Sequence, residues 1–258
     1  MDSIFLYVEK NGEITITGLQ EGTAETAVEI PETIDNMPVT EIAEQAFLES
    51  PITAVKIGKN IREIGELAFG VCKKLSSVTW NQKCDVIPSD CFAECSNLTQ
   101  FDFSNVKKIG LYAFYKSGLQ EVYLTEKIEI LDKGTFSGCS KLQSVTWHCQ
   151  CDVIPADCFF GCSDLMQFDF SGVKKIEARA FMGSGLTSVR LSKKTAVEQS
   201  CFACCNDLEK IEWLSDRNIE KTIFAECKNI KEIFISDKVK NIEVSAFTSS
   251  HNAEITFV

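Results

Sequence analysis

The chain has 258 residues, of which 45% are hydrophobic, and its formal net charge at pH 7 is −11. An acidic surface repels the phosphates of nucleic acid, and no apolar run in the sequence approaches the ~20 residues of a membrane span. We therefore expect neither nucleic-acid binding nor membrane insertion. The first ten residues lack the basic region of a secretory signal, which leaves the cellular location open.

A β-hairpin is predicted at the N-terminus. Between Phe5 and Gly18 the sequence alternates apolar and polar residues on both sides of Asn11-Gly12. That dipeptide favours the two-residue type I′ turn of a hairpin. We expect residues 1–27 to form a capping hairpin and residues 28–258 to form the repeats of one solenoid domain.

From Phe47 onward a phenylalanine returns every 21 to 23 residues. An aliphatic residue lies five positions before each one, and in most units an alanine or a cysteine directly precedes it. The ten phenylalanines are Phe47, Phe69, Phe92, Phe114, Phe136, Phe159, Phe181, Phe202, Phe224 and Phe247. A fixed period near twenty residues is typical of a solenoid, in which each unit buries its apolar face against the next.

Each unit combines two patterns. Ile64, Phe69 and Cys72 have the spacing of residues on one helix face, and Pro88 lies where a proline suits the first helical turn. Residues 75–80 alternate between inward and outward positions, as in a strand. The sequence therefore predicts α/β repeats, each with a short helical turn and a strand, and the strands stack ~4.8 Å apart in a parallel sheet.

A longer repeat lies over the short one. Residues 75–124, here called the first block, return as residues 142–191, the second block, with about two thirds of the positions identical. Three units were therefore duplicated together. Because this identity records ancestry, matching surface residues in the two blocks are no evidence of function.

The C-terminal residues 254–258 are predicted to form a strand with an open outer edge. Exposed strand edges invite pairing with another chain. We expect either that the natural protein continues beyond Val258 or that this edge makes an edge-to-edge contact with a partner.

The units share the pattern Leu-x-x-Val-x-(Ile/Trp/Phe), then Val-x-x-Ile-(Gly/Pro)-x-x-Ala-Phe-x-x-Cys-x-x-Leu. This pattern resembles the BspA-like leucine-rich repeats over residues 28–258. The resemblance implies a right-handed leucine-rich-repeat solenoid of about ten repeats. It also implies a surface protein that acts in adhesion by binding a host or neighbouring-cell protein, without enzymatic activity. An intracellular scaffold of the same fold that binds an endogenous protein is the alternative.

Thirteen cysteines are present, and most occupy repeat positions three after the phenylalanine or directly before it. We interpret these as small, buried and reduced core residues. Disulfides between stacked units are the alternative, because neighbouring units lie within bridging distance, but an odd count leaves one thiol unpaired. Cys149 and Cys204 fit no repeat position, yet without a second matched ligand pair they do not predict a metal site.

The sequence predicts neither a catalytic site nor a cofactor. His148 and His251 are the two histidines, and the adjacent His148 and Cys149 would point to opposite sides of an extended segment. The phosphate-loop, Gly-x-Ser-x-Gly and His-Glu-x-x-His motifs are absent from the sequence. The three tryptophans fall on inward strand positions, which favours core packing over carbohydrate stacking.

The outward positions of the predicted sheet remain as the candidate binding surface. Tyr123 and Arg190 are residue types that are enriched at protein interfaces. The candidate site comprises Gln100, Asp102, Tyr123, Thr146, His148, Gln167, Asp169 and Arg190. We expect these residues to form one patch that binds a partner protein. The alternative is an ordinary polar sheet surface, in which Asp169 and Arg190 form a cross-strand ion pair.

Overall fold

The computed structural model describes residues 3–220, 222–249 and 253–258. These residues wind into a β-solenoid of about eleven turns. The strands are β1 (Phe5–Lys10), β2 (Glu13–Leu19), β3 (Ala27–Glu29), β4 (Thr33–Ile34), β5 (Met37–Ile42), β6 (Ala54–Lys56), β7 (Glu63–Ile64), β8 (Ser77–Thr79), β9 (Val86–Ile87), β10 (Lys108–Ile109), β11 (Glu121–Leu124), β12 (Ile130–Leu131), β13 (Ser144–Trp147), β14 (Val153–Ile154), β15 (Lys175–Ile176), β16 (Ser188–Leu191), β17 (Ala196–Val197), β18 (Lys210–Trp213), β19 (Glu232–Ile235) and β20 (Glu254–Phe257).

Each turn of the solenoid contributes to three faces. The sheet face consists of β3, β6, β8, β11, β13, β16, β18, β19 and β20, which pair in parallel. The bridge face consists of β5 and the two-residue parallel strands β7, β9, β10, β12, β14, β15 and β17. The turn face consists of the residues from two before to two after each repeated phenylalanine.

The repeated phenylalanines form one ladder through the interior. The rings of Phe47 and Phe69 are stacked with their centroids 5.2 Å apart and their planes 5° from parallel. Similar stacks follow at each step, up to Phe224 and Phe247 with centroids 5.4 Å apart. All the rings up to Phe224 are buried, and Phe247 is half-buried. The prediction that each unit buries its apolar face against the next is confirmed.

The predicted N-terminal hairpin is also confirmed. Strands β1 and β2 pair antiparallel, and Asn11 and Gly12 between them have φ values of 55° and 75°, as a type I′ turn requires. Strand β2 then pairs in parallel with β5. The ring of Phe5 meets Phe47 edge-on, with centroids 6.4 Å apart, so the hairpin closes the first end of the phenylalanine ladder.

The prediction of short helical turns is wrong. In the turns from Phe47 to Phe224, the residues two before and two after the phenylalanine have positive φ, for example 55° at Leu67 and 59° at Val71. Left-handed residues interrupt α-helix geometry. The N–H groups of Leu67, Phe69 and Val71 instead donate to carbonyls of the following turn, at 3.1, 3.1 and 2.7 Å. Hydrogen bonds along the solenoid axis therefore replace those of a helix.

The last described turn differs from the others. Its residues Val244–Phe247 form a 3₁₀ helix, in which the Ala246 N–H donates to the Glu243 carbonyl at 2.9 Å. The Ala246 carbonyl accepts from Phe224 of the preceding turn. No further turn follows among the described residues, so the N–H groups of this turn have no carbonyls of a following turn to bond. Hydrogen bonds within the turn take their place.

The cysteines three after the phenylalanine are buried, as predicted. The Cys72 thiol donates to the Phe47 carbonyl at 3.0 Å, and the Cys139 thiol donates to the Phe114 carbonyl at 3.1 Å. Burial raises the pKa of Cys72 and of Cys139 to about 12 because an apolar core disfavours the thiolate. Each thiol thus satisfies a carbonyl of the preceding turn.

Candidate recognition surface

The sheet face is interrupted twice. β3, β6 and β8 form one sheet, β11 and β13 a second, and β16, β18, β19 and β20 a third. The interruptions fall at residues 99–103 and 165–170, which have no strand structure. The central pair β11–β13 is therefore a short sheet with irregular backbone on both sides.

The centre of the predicted patch lies on β11 and β13. Tyr123 is paired with Thr146 across the two strands, and its side chain is 54% exposed. The Tyr123 hydroxyl lies 3.2 Å from His148 Nδ1, and the two rings meet edge to face with centroids 5.5 Å apart. The structure thus brings Tyr123, Thr146 and His148 together at the surface. The other histidine, His251, lies outside the described residues.

Arg190 pairs with Glu212 and not with Asp169, its partner in the alternative of an ordinary polar sheet surface. Arg190 Nη1 lies 2.9 Å from Glu212 Oε2, because β16 and β18 place these residues in register. Lys210 also reaches Glu212 Oε1, at 3.2 Å, and its ammonium lies over the ring of Phe234. Arg190 therefore belongs to a second cluster, on the third sheet of this face.

Gln100, Asp102, Gln167 and Asp169 do not lie on strands, contrary to the expectation of consecutive strands. Asp102 Oδ1 accepts the N–H of Ser104 at 2.9 Å, and Asp169 makes the same bond two residues on, also at 2.9 Å. An aspartate that bonds to the backbone two residues on stabilises an Asx turn. These turns compete with sheet pairing, so all four residues are exposed on irregular backbone between the sheets.

The tryptophans contribute to the core, as predicted. Trp213 is buried, and Trp80 and Trp147 pack against the core. Trp80 Nε1 donates to the Cys84 carbonyl at 2.7 Å, and Trp147 Nε1 makes the same bond to Cys151 at 3.0 Å. Each indole therefore holds the connection from the sheet face to the bridge face.

A groove on the turn face was not predicted from the sequence. It has a volume of about 500 Å³ and is lined by Asp90, Tyr112, Tyr115, Ser137, Asp157, Phe160 and Arg179. A side-chain Cβ at Gly134 would overlap the Tyr112 ring, so Tyr112 lies across the position that a side chain occupies in the neighbouring turns. The rings of Tyr112 and Tyr115 meet edge to face, with centroids 5.7 Å apart. We call this feature the turn-face groove.

One end of the turn-face groove carries a neutralised carboxylate. Asp157 is 6% exposed and accepts two hydrogen bonds from Arg179, from Nε at 2.7 Å and from Nη2 at 2.8 Å. Lys133 Nζ lies 3.3 Å from the same carboxylate. The Arg179 guanidinium, followed by Lys133, holds the pKa of Asp157 below its usual range because cations favour the charged form.

The other end carries Asp90, which occupies the same repeat position in the first block. Within the described part of the chain, no cationic group lies within 4 Å of this carboxylate. Burial, assisted by the negative charge of Glu66, raises the pKa of Asp90. The groove therefore has one carboxylate that is paired and one that is open.

Most residues of the turn-face groove share one repeat position in the sequence. Recognising them as a groove requires the stacking of the turns along the solenoid axis. The residues two before each phenylalanine form one column along the turn face, with Asp90, Tyr112, Gly134, Asp157 and Arg179 in consecutive turns. Equivalent positions of stacked turns align along the solenoid axis. The left-handed backbone at these positions sets the direction in which the side chains of this column project.

Two further findings concern the described residues 3–220, 222–249 and 253–258. No helix there has both the length and the hydropathy of a membrane span. No group of three or more histidine, cysteine or acidic side chains in this part of the chain is placed to hold a metal ion.

The sequence pattern of the BspA type leucine rich repeat region, in six copies, matches residues 22–143 and 129–254. The chain belongs to this family. Membership accounts for the repeats and for the solenoid that they form. A search of curated protein sequences finds no match.

Solved structures with the same fold are similar to this BspA type repeat protein. A leucine-rich repeat protein from Bacteroides ovatus has a TM-score of 0.68 and 22% identity, over 94% of this chain and 76% of that chain. A leucine rich cell surface protein from Faecalibacterium prausnitzii has a TM-score of 0.63 and 22% identity, over 94% of this chain and 71% of that chain. The pneumococcal vaccine antigen PcpA has a TM-score of 0.60 and 17% identity, over 93% and 76%. At these identities the likeness shows the fold.

Proposed function

We propose that this BspA type repeat protein is a non-enzymatic recognition module of a cell-surface protein and binds a partner protein through its sheet face. The observation that carries the proposal is the surface cluster of Tyr123 on β11, Thr146 on β13 and His148 directly after β13. An exposed tyrosine held by an edge-to-face histidine loses little side-chain entropy when a partner covers it. Tyrosine is also among the residue types that contribute most at protein interfaces.

The surface location is supported by the relatives. One structure with the same fold is a leucine rich cell surface protein, and another is a pneumococcal vaccine antigen. The central sheet is flanked by Gln100 and Asp102 on one side and by Gln167 and Asp169 on the other. Their exposed polar side chains suit the rim of a protein interface, which is polar and hydrated.

The test is a comparison of partner capture by immobilised wild type and by a double variant, Tyr123→Ala with His148→Ala. Native cells are surface-labelled before lysis, and the retained labelled proteins are identified by mass spectrometry. Val86→Ala is the matched control, because it truncates an exposed apolar side chain on β9 of the bridge face. We expect a specific labelled protein to be retained by wild type and by the control, and to be lost with the double variant.

Unfolding temperatures of all three proteins show whether the fold is intact. Retention of the same protein by the double variant, at unchanged stability, would rule out the Tyr123 cluster as the binding site. Arg190→Ala then tests the second cluster of the sheet face.

A second candidate function, an intracellular scaffold of the same fold, is favoured by the thiols. A donor bond such as Cys72 Sγ to the Phe47 carbonyl at 3.0 Å needs the thiol proton, which a disulfide lacks. Disulfides are rare in the reducing cytosol and form readily outside the cell. Alkylation in denaturant followed by mass spectrometry of protein from native cells distinguishes the two locations: full alkylation of the repeat-position cysteines supports the scaffold, and several intact disulfides support the surface protein.

A further inference from the structure

The turn-face groove differs from the rest of the surface because it joins aromatic rings to an open carboxylate. Tyr112, Tyr115 and Phe160 line its length, and Asp90 lies at one end. Asp90 is half-buried, and its carboxylate has no cation within 4 Å in the described part of the chain. A partly desolvated carboxylate without a cation is electrostatically unsatisfied.

The second block shows which chemical group satisfies a carboxylate at this position. Asp157 corresponds to Asp90 in the duplication, and the next turn supplies Arg179, whose guanidinium makes two hydrogen bonds to it. In the first block the next turn supplies Tyr112 in place of that arginine. The first block thus has the carboxylate of the pair but not its guanidinium.

We propose that the Asp90 end of the turn-face groove binds an arginine side chain of a partner protein. The carboxylate accepts two hydrogen bonds from the guanidinium, as Asp157 does from Arg179. The tyrosine rings offer faces and edges on which a planar guanidinium packs. Arginine fits better than lysine because a compact ammonium makes neither the forked hydrogen bonds nor the planar stack.

The charges around the groove fix the position of this guest side chain. Glu66 adds negative potential near Asp90, whereas Arg179 and Lys133 surround Asp157 at the far end. A positive guest is therefore attracted to the Asp90 end and repelled from the other. Lys116 already lies over the Tyr115 ring, with its Nζ 4.9 Å from the ring centroid. The guest guanidinium is therefore expected to pack on the Tyr112 side of the groove.

This site is independent of the proposed function of the sheet face. The groove lies on the turn face, and none of its lining residues belongs to a strand. Loss of partner binding through Tyr123 would leave arginine binding in the groove unchanged.

The experiment measures fluorescence anisotropy with three labelled peptides of one length, Gly-Arg-Gly-Arg-Gly, Gly-Lys-Gly-Lys-Gly and Gly-Glu-Gly-Glu-Gly. We expect the arginine peptide to bind most tightly, the lysine peptide more weakly and the glutamate peptide not at all. Asp90→Asn should lower the affinity for the arginine peptide by about fivefold or more. A partly desolvated ion pair with ring stacking contributes more to binding than an exposed ion pair does. Tyr112→Arg should abolish binding, because it supplies the missing guanidinium within the chain.

Asp164→Asn is the matched control, because it removes one negative charge from an exposed carboxylate outside the groove. It should leave the affinity within about twofold, as a surface charge contributes little. If Asp90→Asn and Asp164→Asn lowered the affinity for the arginine peptide equally, the peptide would be attracted by the net negative charge of the protein. That result would overturn the proposal. Absence of arginine binding by wild type, or equal binding of the glutamate peptide, would also overturn it. Thermal unfolding of each variant confirms that the fold is retained.

Discussion

The two blocks of the duplication share a core and differ at the surface. Trp80 and Trp147 make the same indole bond, and Asp102 and Asp169 make the same Asx turn. By contrast, Tyr112 and Tyr123 of the first block are replaced by Arg179 and Arg190 in the second. Both arginines are paired with a carboxylate of their own chain, Asp157 and Glu212.

This difference separates surface groups that are paired within the fold from surface groups that are open to a partner. In the second block each arginine satisfies an internal carboxylate, so its polar groups are used within the fold. In the first block Tyr112 leaves Asp90 open on the turn face, and Tyr123 forms an exposed cluster with His148 of the second block on the sheet face. On the turn face the first block therefore has the open carboxylate, Asp90, and the paired Asp157 of the second block serves as its internal control.

The largest effect is expected from the shared core. Phe114→Ala and Phe181→Ala remove equivalent rings that are both fully buried, and each should lower the free energy of unfolding by about 3–5 kcal/mol. Because both rings stack between two neighbours, the two losses should agree closely. Urea denaturation of both variants measures this, and a large difference between them would show that the blocks are not equivalent inside.

The next effect concerns the internal ion pair of the second block. Arg179→Ala leaves the buried Asp157 with only Lys133, and we expect a loss of about 1.5–3 kcal/mol in the free energy of unfolding, as for hydrogen bonds to a charged group. Arg190→Ala is the control, because its pair with Glu212 lies on an exposed sheet face and should contribute less than ~1 kcal/mol. Equal losses would mean that burial of Asp157 does not strengthen its pair.

The pH dependence of stability should differ in sign between Asp90 and Asp157. Arginine lowers the pKa of Asp157, so its stabilising contribution is present above the unfolded value of about 3.9 and is lost as the pH falls through the folded pKa. Burial raises the pKa of Asp90, so its ionisation costs stability as the pH rises from about 3.9 through the folded pKa.

Urea denaturation of wild type, Asp90→Asn and Asp157→Asn between about pH 3 and pH 6 covers both windows. The difference in unfolding free energy between wild type and Asp157→Asn should grow with rising pH. The difference between wild type and Asp90→Asn should fall. Slopes of the same sign would contradict the assignment of one open and one paired carboxylate.

The smallest change in stability is expected from converting the first block into the second at one position. Tyr112→Arg places a guanidinium in the turn after Asp90 and should change the free energy of unfolding by less than ~1 kcal/mol, since the new pair is partly exposed. The informative measurement is the pKa of Asp90 by NMR titration, which should fall below its usual range. Tyr112→Phe is the control, and there the pKa of Asp90 should remain raised.

The sequence predicted the solenoid and its core because these depend on spacing. The phenylalanine period, the Asn11-Gly12 turn and the cysteine positions each follow from local chemistry and appear in the structure. The sequence did not predict the left-handed residues, because most are ordinary side chains such as Leu67 and Glu94 rather than glycine. Their conformation is stabilised by the neighbouring turn, which no single unit reveals.

Part of the candidate surface also depends on the spacing of the repeats, and that part could be predicted. Tyr123, Thr146 and His148 do meet, since strand register follows from the repeat. The partner of Arg190 depended on whether residues 165–170 form a strand, and the Asx turn at Asp169 prevents it. The turn-face groove was missed because the predicted helical turns do not have the left-handed backbone from which its side chains project.

That backbone gives the turn face an electrical polarity. On the turn face the N–H groups of each turn donate toward the following one, as at Asp90, Phe92 and Glu94 at 2.8, 2.8 and 2.6 Å. The peptide dipoles of this face therefore add along the solenoid axis, as they do along a helix, whereas those of a β-sheet largely cancel. On the bridge face the bonds run the other way, as from the Gly65 N–H to the Ile42 carbonyl of the preceding turn at 2.8 Å. The two faces of each turn therefore carry opposed peptide dipoles, and the turn face directs its N–H groups away from the hairpin.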